Sequence, residues 1–161
     1  TNTLTILQNV VLVLIPSMNP DGQRLVTDWY EKYKGTAWEG GPMPWLYHKY
    51  AGHDLNRDVF MLNMAENRNF AKFMYSDWHP QVFLTIHQME DNGPRFFAPP
   101  NTDPIDPNSD PLMWRSAALL GSAIAMQMQQ DGRRGVVTSA KYDYYWPGFE
   151  DSAPIDRKSV V

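Results

Sequence analysis

Two short apolar runs stand out along the chain. Val10–Ile15 contains only Val, Leu and Ile and ends at Pro16, and the largely apolar Val82–Ile86 ends at His87. Continuous runs of this length are typical of strands that are buried on both faces of a parallel or mixed sheet. We therefore predict two buried strands.

Apolar residues at helical spacing mark two longer segments. One helix is predicted from Asp58 to about Trp78, where Pro80 stops it. A second is predicted from Asp110-Pro111 to about Gln130, because Asp is a favourable N-cap and Pro fits the first helical turn.

The segments between these elements are richer in turn-forming residues. Ser17–Gly22 is predicted as a turn, Leu25–Tyr33 as either a short helix or an irregular segment, and Lys34–Asp54 as a long surface loop. Two further short strands are predicted within Arg95–Ala98 and Gly135–Thr138. The order strand, helix, strand, helix, strand indicates one α/β unit.

Composition narrows the classes of partner. The 161 residues suffice for one domain with a core, the net charge is -4, and there is no Cys to form disulfides or thiolate metal sites. The largest basic cluster is Arg133-Arg134, so we predict no nucleic-acid partner. The longest apolar run, Val10–Ile15, is far shorter than the roughly 20 residues of a membrane span, so we predict no membrane partner.

His87 is a candidate metal ligand. Ligands of open α/β sheets gather beyond the carboxyl ends of the strands, and a neutral imidazole is a good zinc ligand. Glu90 follows at the H-x-x-E spacing, which can present two ligands together. The residues alone leave two alternatives open: a hydrogen-bonded structural His87, and a solvated loop carboxylate at Glu90.

Asn56 and Arg57 are candidates for binding a carboxylate. The Arg guanidinium presents a planar fork of donors that matches a carboxylate, and the N-terminus of the predicted helix would add a favourable field. The alternative is that Arg57 pairs with Asp54 or Asp58 while Asn56 merely caps the helix.

Three motifs in chain order make the sequence resemble the zinc carboxypeptidases of the carboxypeptidase A type. They are N-P-D-G at Asn19–Gly22, G-H-D-L-N-R-D at Gly52–Asp58 and L-T-I-H at Leu84–His87. The likeness covers Val10–Gln88 well and the remainder loosely. Tyr47–Tyr50 and the Pro-rich loop further on resemble a divergent bacterial branch of large secreted members.

The resemblance implies a fold and a set of roles. The fold would be α/β, a partial α/β/α sandwich around a mixed, twisted sheet. Asn56 and Arg57 would hold the C-terminal carboxylate of a peptide or protein substrate, and His87 would be the third zinc ligand. Tyr144 or Tyr145 would be the mobile tyrosine of the family. The protein would be secreted or periplasmic.

The sequence also departs from the family pattern. The resemblance places an H-x-x-E zinc motif before Asn19, but residues 1–18 contain neither His nor Glu. Glu150 lies in a loop-like context unlike that of the family's general-base Glu, and Asp58 replaces the usual Asn. We therefore predict that residues 1–161 form a single truncated catalytic domain. It would be a central fragment of a zinc-dependent carboxypeptidase, inactive by itself.

The alternative is a non-catalytic module that keeps the carboxylate-binding residues and has lost the metal. Either hypothesis predicts that the chain as given binds zinc weakly or not at all. Tight zinc binding would instead indicate the pair His87 and Glu90, with His48 or His53 as a further ligand. Exposed sheet edges, expected if neighbouring strands are missing, would favour a homodimer.

Overall fold

The computed structural model describes residues 3–45, 47–89, 93–103 and 105–141, and the chain divides into two compact units, Thr1–Asp54 and Leu55–Val161. The regular elements are α1 (Thr3–Leu7), α2 (Pro20–Tyr33), a 3-10 helix (Leu55–Arg57), α3 (Ala65–Lys72), a π-helical turn (Phe73–Asp77), β1 (Phe96–Phe97), α4 (Pro111–Gln130) and β2 (Val136–Val137). None of the described helices is both long enough and apolar enough to span a lipid bilayer.

The predicted α/β/α sandwich around a mixed, twisted sheet is wrong. Helices make up 41% of the described residues, and the sheet formed by these residues has two parallel strands. Val10–Ile15 forms no strand, with side chains 41–76% exposed, and Val82–Ile86 forms none either. A strand must pair its backbone N–H and C=O groups with a neighbour, and neither run has one within the described ranges.

The N-P-D-G segment begins a helix rather than forming the predicted turn. The Asn19 side chain accepts a 2.8 Å hydrogen bond from Gly22 N, and Pro20 takes the first helical position, so α2 starts five residues before Leu25. Asn19 Nδ2 also donates to Tyr47 O at 2.7 Å, which ties the helix start to the following loop.

The described part of Lys34–Asp54 contains no helix or strand, which confirms the predicted loop. His48 lies buried within it, and its Nδ1 accepts a 3.0 Å hydrogen bond from Ala51 N. Trp38 and Trp45 in this loop are 72% and 69% exposed, so both indoles are largely in solvent.

The helix predicted from Asp58 begins only at Ala65. The Asp58 carboxylate accepts hydrogen bonds from two backbone N–H groups just before α3, which fixes the intervening residues as a turn. The π-helical turn extends α3 to Asp77, close to the predicted end at Trp78. Residues 55–77 supply five of the six buried apolar residues in the described part of the second unit, namely Leu55, Val59, Phe70, Ala71 and Met74; the sixth is Ala98.

The predicted short strands after residue 90 are confirmed and form one β-α-β unit. β1 pairs in parallel with β2, and α4 connects them. Pairing continues beyond both strands through backbone hydrogen bonds of 2.8–3.1 Å. Phe96 N donates to Gly135 O and Ala98 N to Val137 O. Ser139 N donates to Pro100 O and Thr102 N to Ala140 O.

The predicted helix from Pro111 to Gln130 is confirmed as α4. The Asp110 side chain accepts a 2.8 Å hydrogen bond from Leu112 N, and Gly132 follows the last turn with a φ of 76°. Both ends follow ordinary capping rules, because Asp satisfies a free N–H at the start and Gly adopts the left-handed conformation at the end.

Candidate functional site

Asn56 and Arg57, below called the Asn-Arg pair, lie next to each other in the 3-10 helix, and both are half-buried. Arg57 Nη1 donates a 2.6 Å hydrogen bond to Asn56 O, which orients the guanidinium. The expectation that the pair opens an α-helix is wrong, because the chain turns after Asp58 and α3 begins at Ala65.

Asp58 and Asn67 form a buried polar network next to the pair. Asp58 is 0% exposed; its Oδ2 accepts from Met64 N at 2.8 Å and from Asn67 Nδ2 at 3.1 Å, and its Oδ1 accepts from Asn63 N at 3.1 Å. Asn67, 1% exposed, also donates to Leu55 O at 2.9 Å. The residues on either side of the Asn-Arg pair are thus both held to the start of α3.

The network keeps Asp58 ionised. Burial acts to raise the pKa of this carboxyl, but hydrogen bonds from Met64 N, Asn67 Nδ2 and Asn63 to the charged form outweigh it, so the pKa lies below its ordinary value. A buried carboxylate with this many donors fixes the local backbone as well as carrying charge.

The sequence marks Asp58 only as a departure from the family motif and gives no prediction for Asn67. A signal was present, because Asn67 stands three residues before Phe70 and seven before Met74, which are both buried. A polar residue at helical spacing from core residues must find hydrogen-bond partners inside the protein.

His87 lies outside any described strand and is exposed. Its Nδ1 is 2.7 Å from Gln88 O. Since a carbonyl oxygen can only accept, Nδ1 is the donor in this contact, and in the neutral imidazole the lone pair is then on Nε2. A histidine that is oriented in this way can offer Nε2 to a metal ion.

The described residues do not by themselves fit a zinc ion. Across 3–45, 47–89, 93–103 and 105–141, no three His, Asp or Glu side chains come together as a metal site requires, whereas catalytic zinc commonly takes three protein ligands. The candidates Glu90, Tyr144 and Tyr145 lie outside the described residues.

We expect the 161-residue chain to retain well below one zinc ion per chain after dialysis against metal-free buffer, because His87 is its single predicted ligand and catalytic zinc commonly takes three. Elemental analysis by mass spectrometry measures the ratio. One tightly held zinc per chain, lost in His87→Ala, would contradict this and indicate that His87 acts together with Glu90.

Comparison with known proteins produced no match to a protein-family model, to a curated protein or to a solved structure. The resemblance to zinc carboxypeptidases therefore rests on the three sequence motifs.

Proposed function

We propose that the protein binds the C-terminal carboxylate of a peptide through the Asn-Arg pair, as the carboxylate-recognition part of a zinc carboxypeptidase. The observation that carries this proposal is the buried network of Asp58 and Asn67, which holds the backbone on both sides of the pair. Binding groups that are already positioned lose less conformational entropy when a ligand arrives.

The chemistry of the pair suits a carboxylate. The guanidinium of Arg57 has five N–H donors in a plane, and the bond from Nη1 to Asn56 O orients the group. Asn56, the preceding residue, carries an amide donor. Because both residues are half-buried, solvent screens their interaction with an anion less than it would at a fully exposed site.

The carboxypeptidase and the non-catalytic binding module share this recognition step and differ in bond cleavage. In the enzyme, the motif resemblance gives His87 the role of a zinc ligand, and the tautomer favoured by Gln88 O leaves Nε2 for it. An H-x-x-E motif upstream in the coding sequence, together with chelator-sensitive release of the last amino acid by that longer chain, favours the enzyme; mass spectrometry of the peptide measures the release. Carboxylate binding without release by the longer chain favours the module.

A test of the recognition step compares one fluorescent peptide with a free C-terminus against the same peptide with a C-terminal amide. We expect fluorescence anisotropy to show about tenfold or more tighter binding of the free acid. Arg57→Gln should remove this preference, because glutamine cannot form the charge-assisted fork.

Arg24→Gln is the matched control, because the side chain of Arg24 is 82% exposed and makes an ion pair with Asp28 at 3.6 Å. This variant should keep the preference for the free acid. Equal binding of acid and amide by the unaltered protein, or an unchanged preference in Arg57→Gln, would overturn the proposal.

A further inference from the structure

A surface cavity of about 330 Å³, wide open to solvent, lies in the second unit, where the loop before α4 meets the first turns of that helix. Its walls include Asp106, Ser109, Trp114 and Arg115. We propose that this cavity binds a small zwitterion of the α-amino acid type. Its ammonium group would lie against Asp106, its carboxylate against Arg115 and its apolar side chain against Trp114.

Asp106 provides the negative charge. The residue is 7% exposed, and its Oδ1 accepts from Asn108 N at 2.8 Å and from Asn108 Nδ2 at 3.1 Å. In the part of the chain that the structure describes, no donor reaches Oδ2. A buried carboxylate is costly without a counter-charge, so an ammonium group in the cavity would complete its coordination.

Arg115 provides the positive charge on the same cavity. It is exposed on α4, and its guanidinium makes no ion pair or hydrogen bond with any described residue. Asp106 and Arg115 therefore face one cavity without neutralising each other. A ligand that carries both charges on neighbouring atoms can satisfy both residues at once.

Two further features of the cavity point to a ligand. The Ser109 hydroxyl is buried and has no hydrogen-bond partner among the described residues, and such groups in native proteins call for an explanation. The indole of Trp114 offers an apolar face that also attracts cations. A lone metal ion or phosphate would use one of the two charges and leave the indole without a role.

The size of the cavity favours a single amino acid. Small-molecule sites begin at about 300 Å³, and this cavity lies at that lower limit while staying open to solvent on one side. The site is built without the Asn-Arg pair, so it does not depend on the proposed carboxypeptidase function. Either proposal can fail while the other stands.

Isothermal titration with three matched probes tests the proposal. L-leucine carries both charges, isopentylamine lacks the carboxylate, and isocaproate lacks the ammonium group. We expect L-leucine to bind saturably and each analogue to bind about tenfold or more weakly, because each satisfies one charge of the cavity. Absence of saturable L-leucine binding, or equally tight binding of either analogue, would overturn the proposal.

Two variants locate the binding. Asp106→Asn keeps an oxygen acceptor for Asn108 N while removing the charge, and Arg115→Gln alters an exposed residue that the fold does not use. Each should weaken L-leucine binding by about tenfold or more, whereas Arg133→Gln, an exposed arginine beyond α4, should leave it unchanged. Should Asp106→Asn unfold, Arg115→Gln alone decides, and unweakened binding by that variant refutes the site.

Discussion

Asp58→Ala is expected to lower the free energy of unfolding by about 3 kcal/mol. The Asp58 carboxylate is fully buried and accepts hydrogen bonds from Met64 N, Asn63 N and Asn67 Nδ2. Alanine would leave three donors inside the protein without this acceptor, and each such loss costs about 1–3 kcal/mol before the structure relaxes. Urea denaturation followed by tryptophan fluorescence measures the change.

Asp28→Ala is the control for this variant. The side chain of Asp28 is 70% exposed, and its oxygen lies 3.6 Å from Arg24 Nε in an i,i+4 pair on α2. An exposed pair of this kind contributes about 0.5 kcal/mol at most. If the two substitutions had equal effects, the network around Asp58 would not stabilise the fold.

The pH dependence gives the Asp58 prediction a second readout. Because the folded-state pKa of Asp58 lies below that of the unfolded chain, about 3.9, its stabilisation is fully present above that value. It is lost as the pH falls through the folded-state pKa. The stability difference between the unaltered protein and Asp58→Asn, which cannot titrate, should therefore be largest near neutral pH and shrink in acid.

Elements specified by local chemistry could be predicted from the sequence. Asp110 and Pro111 at one end and Gly132 at the other define α4, because each acts on backbone groups a few residues away. The start of α2 was missed because Asn-Pro-Asp-Gly suits a turn as well as a helix start. The bonds of Asn19 to Gly22 and Tyr47 determine which of the two forms.

The sheet could not be predicted because strand pairing is not local. The composition of Val10–Ile15 shows that it can form a strand, but it does not specify which segment would pair with it. Phe83 contacts Phe70 with ring centroids 5.5 Å apart, whereas Val82, Leu84 and Ile86 stay 60–85% exposed. Among the described residues, the paired strands are the two that α4 connects, since a helical crossover brings two parallel strands together.

The Asn-Arg pair was predicted as a candidate site from the sequence, but the residues that hold it in place were not. Arginine and asparagine next to each other suit a carboxylate by residue type, but local chemistry also allowed Arg57 to pair with Asp54 or Asp58. The motif resemblance supplied the carboxylate-binding role. The contact of Asp58 with Asn67 spans nine residues and depends on the turn before α3, so no local sequence pattern predicts it. The sequence therefore supplied the groups that we propose contact a ligand, but not the residues that position them.

Gly121→Ala is expected to destabilise the protein by about 3 kcal/mol, although alanine ordinarily favours a helix interior over glycine by about 1 kcal/mol. Gly121 is buried in the middle of α4, and a Cβ atom there would lie 1.8 Å from Pro99 O and 2.5 Å from Pro99 C. These are backbone atoms next to β1, so the clash cannot be relieved by rotating a side chain. The helix would have to move away from the strand.

Ser122→Ala, at the exposed neighbouring position of α4, is the matched control and should be neutral or stabilising by about 0.5 kcal/mol. Thermal and urea unfolding of both variants separate helix propensity from packing. A gain in stability for Gly121→Ala would mean that α4 does not lie against the Pro99 backbone. Because α4 also carries Trp114 and Arg115, displacement of the helix should weaken L-leucine binding as well, while Ser122→Ala leaves that binding unchanged.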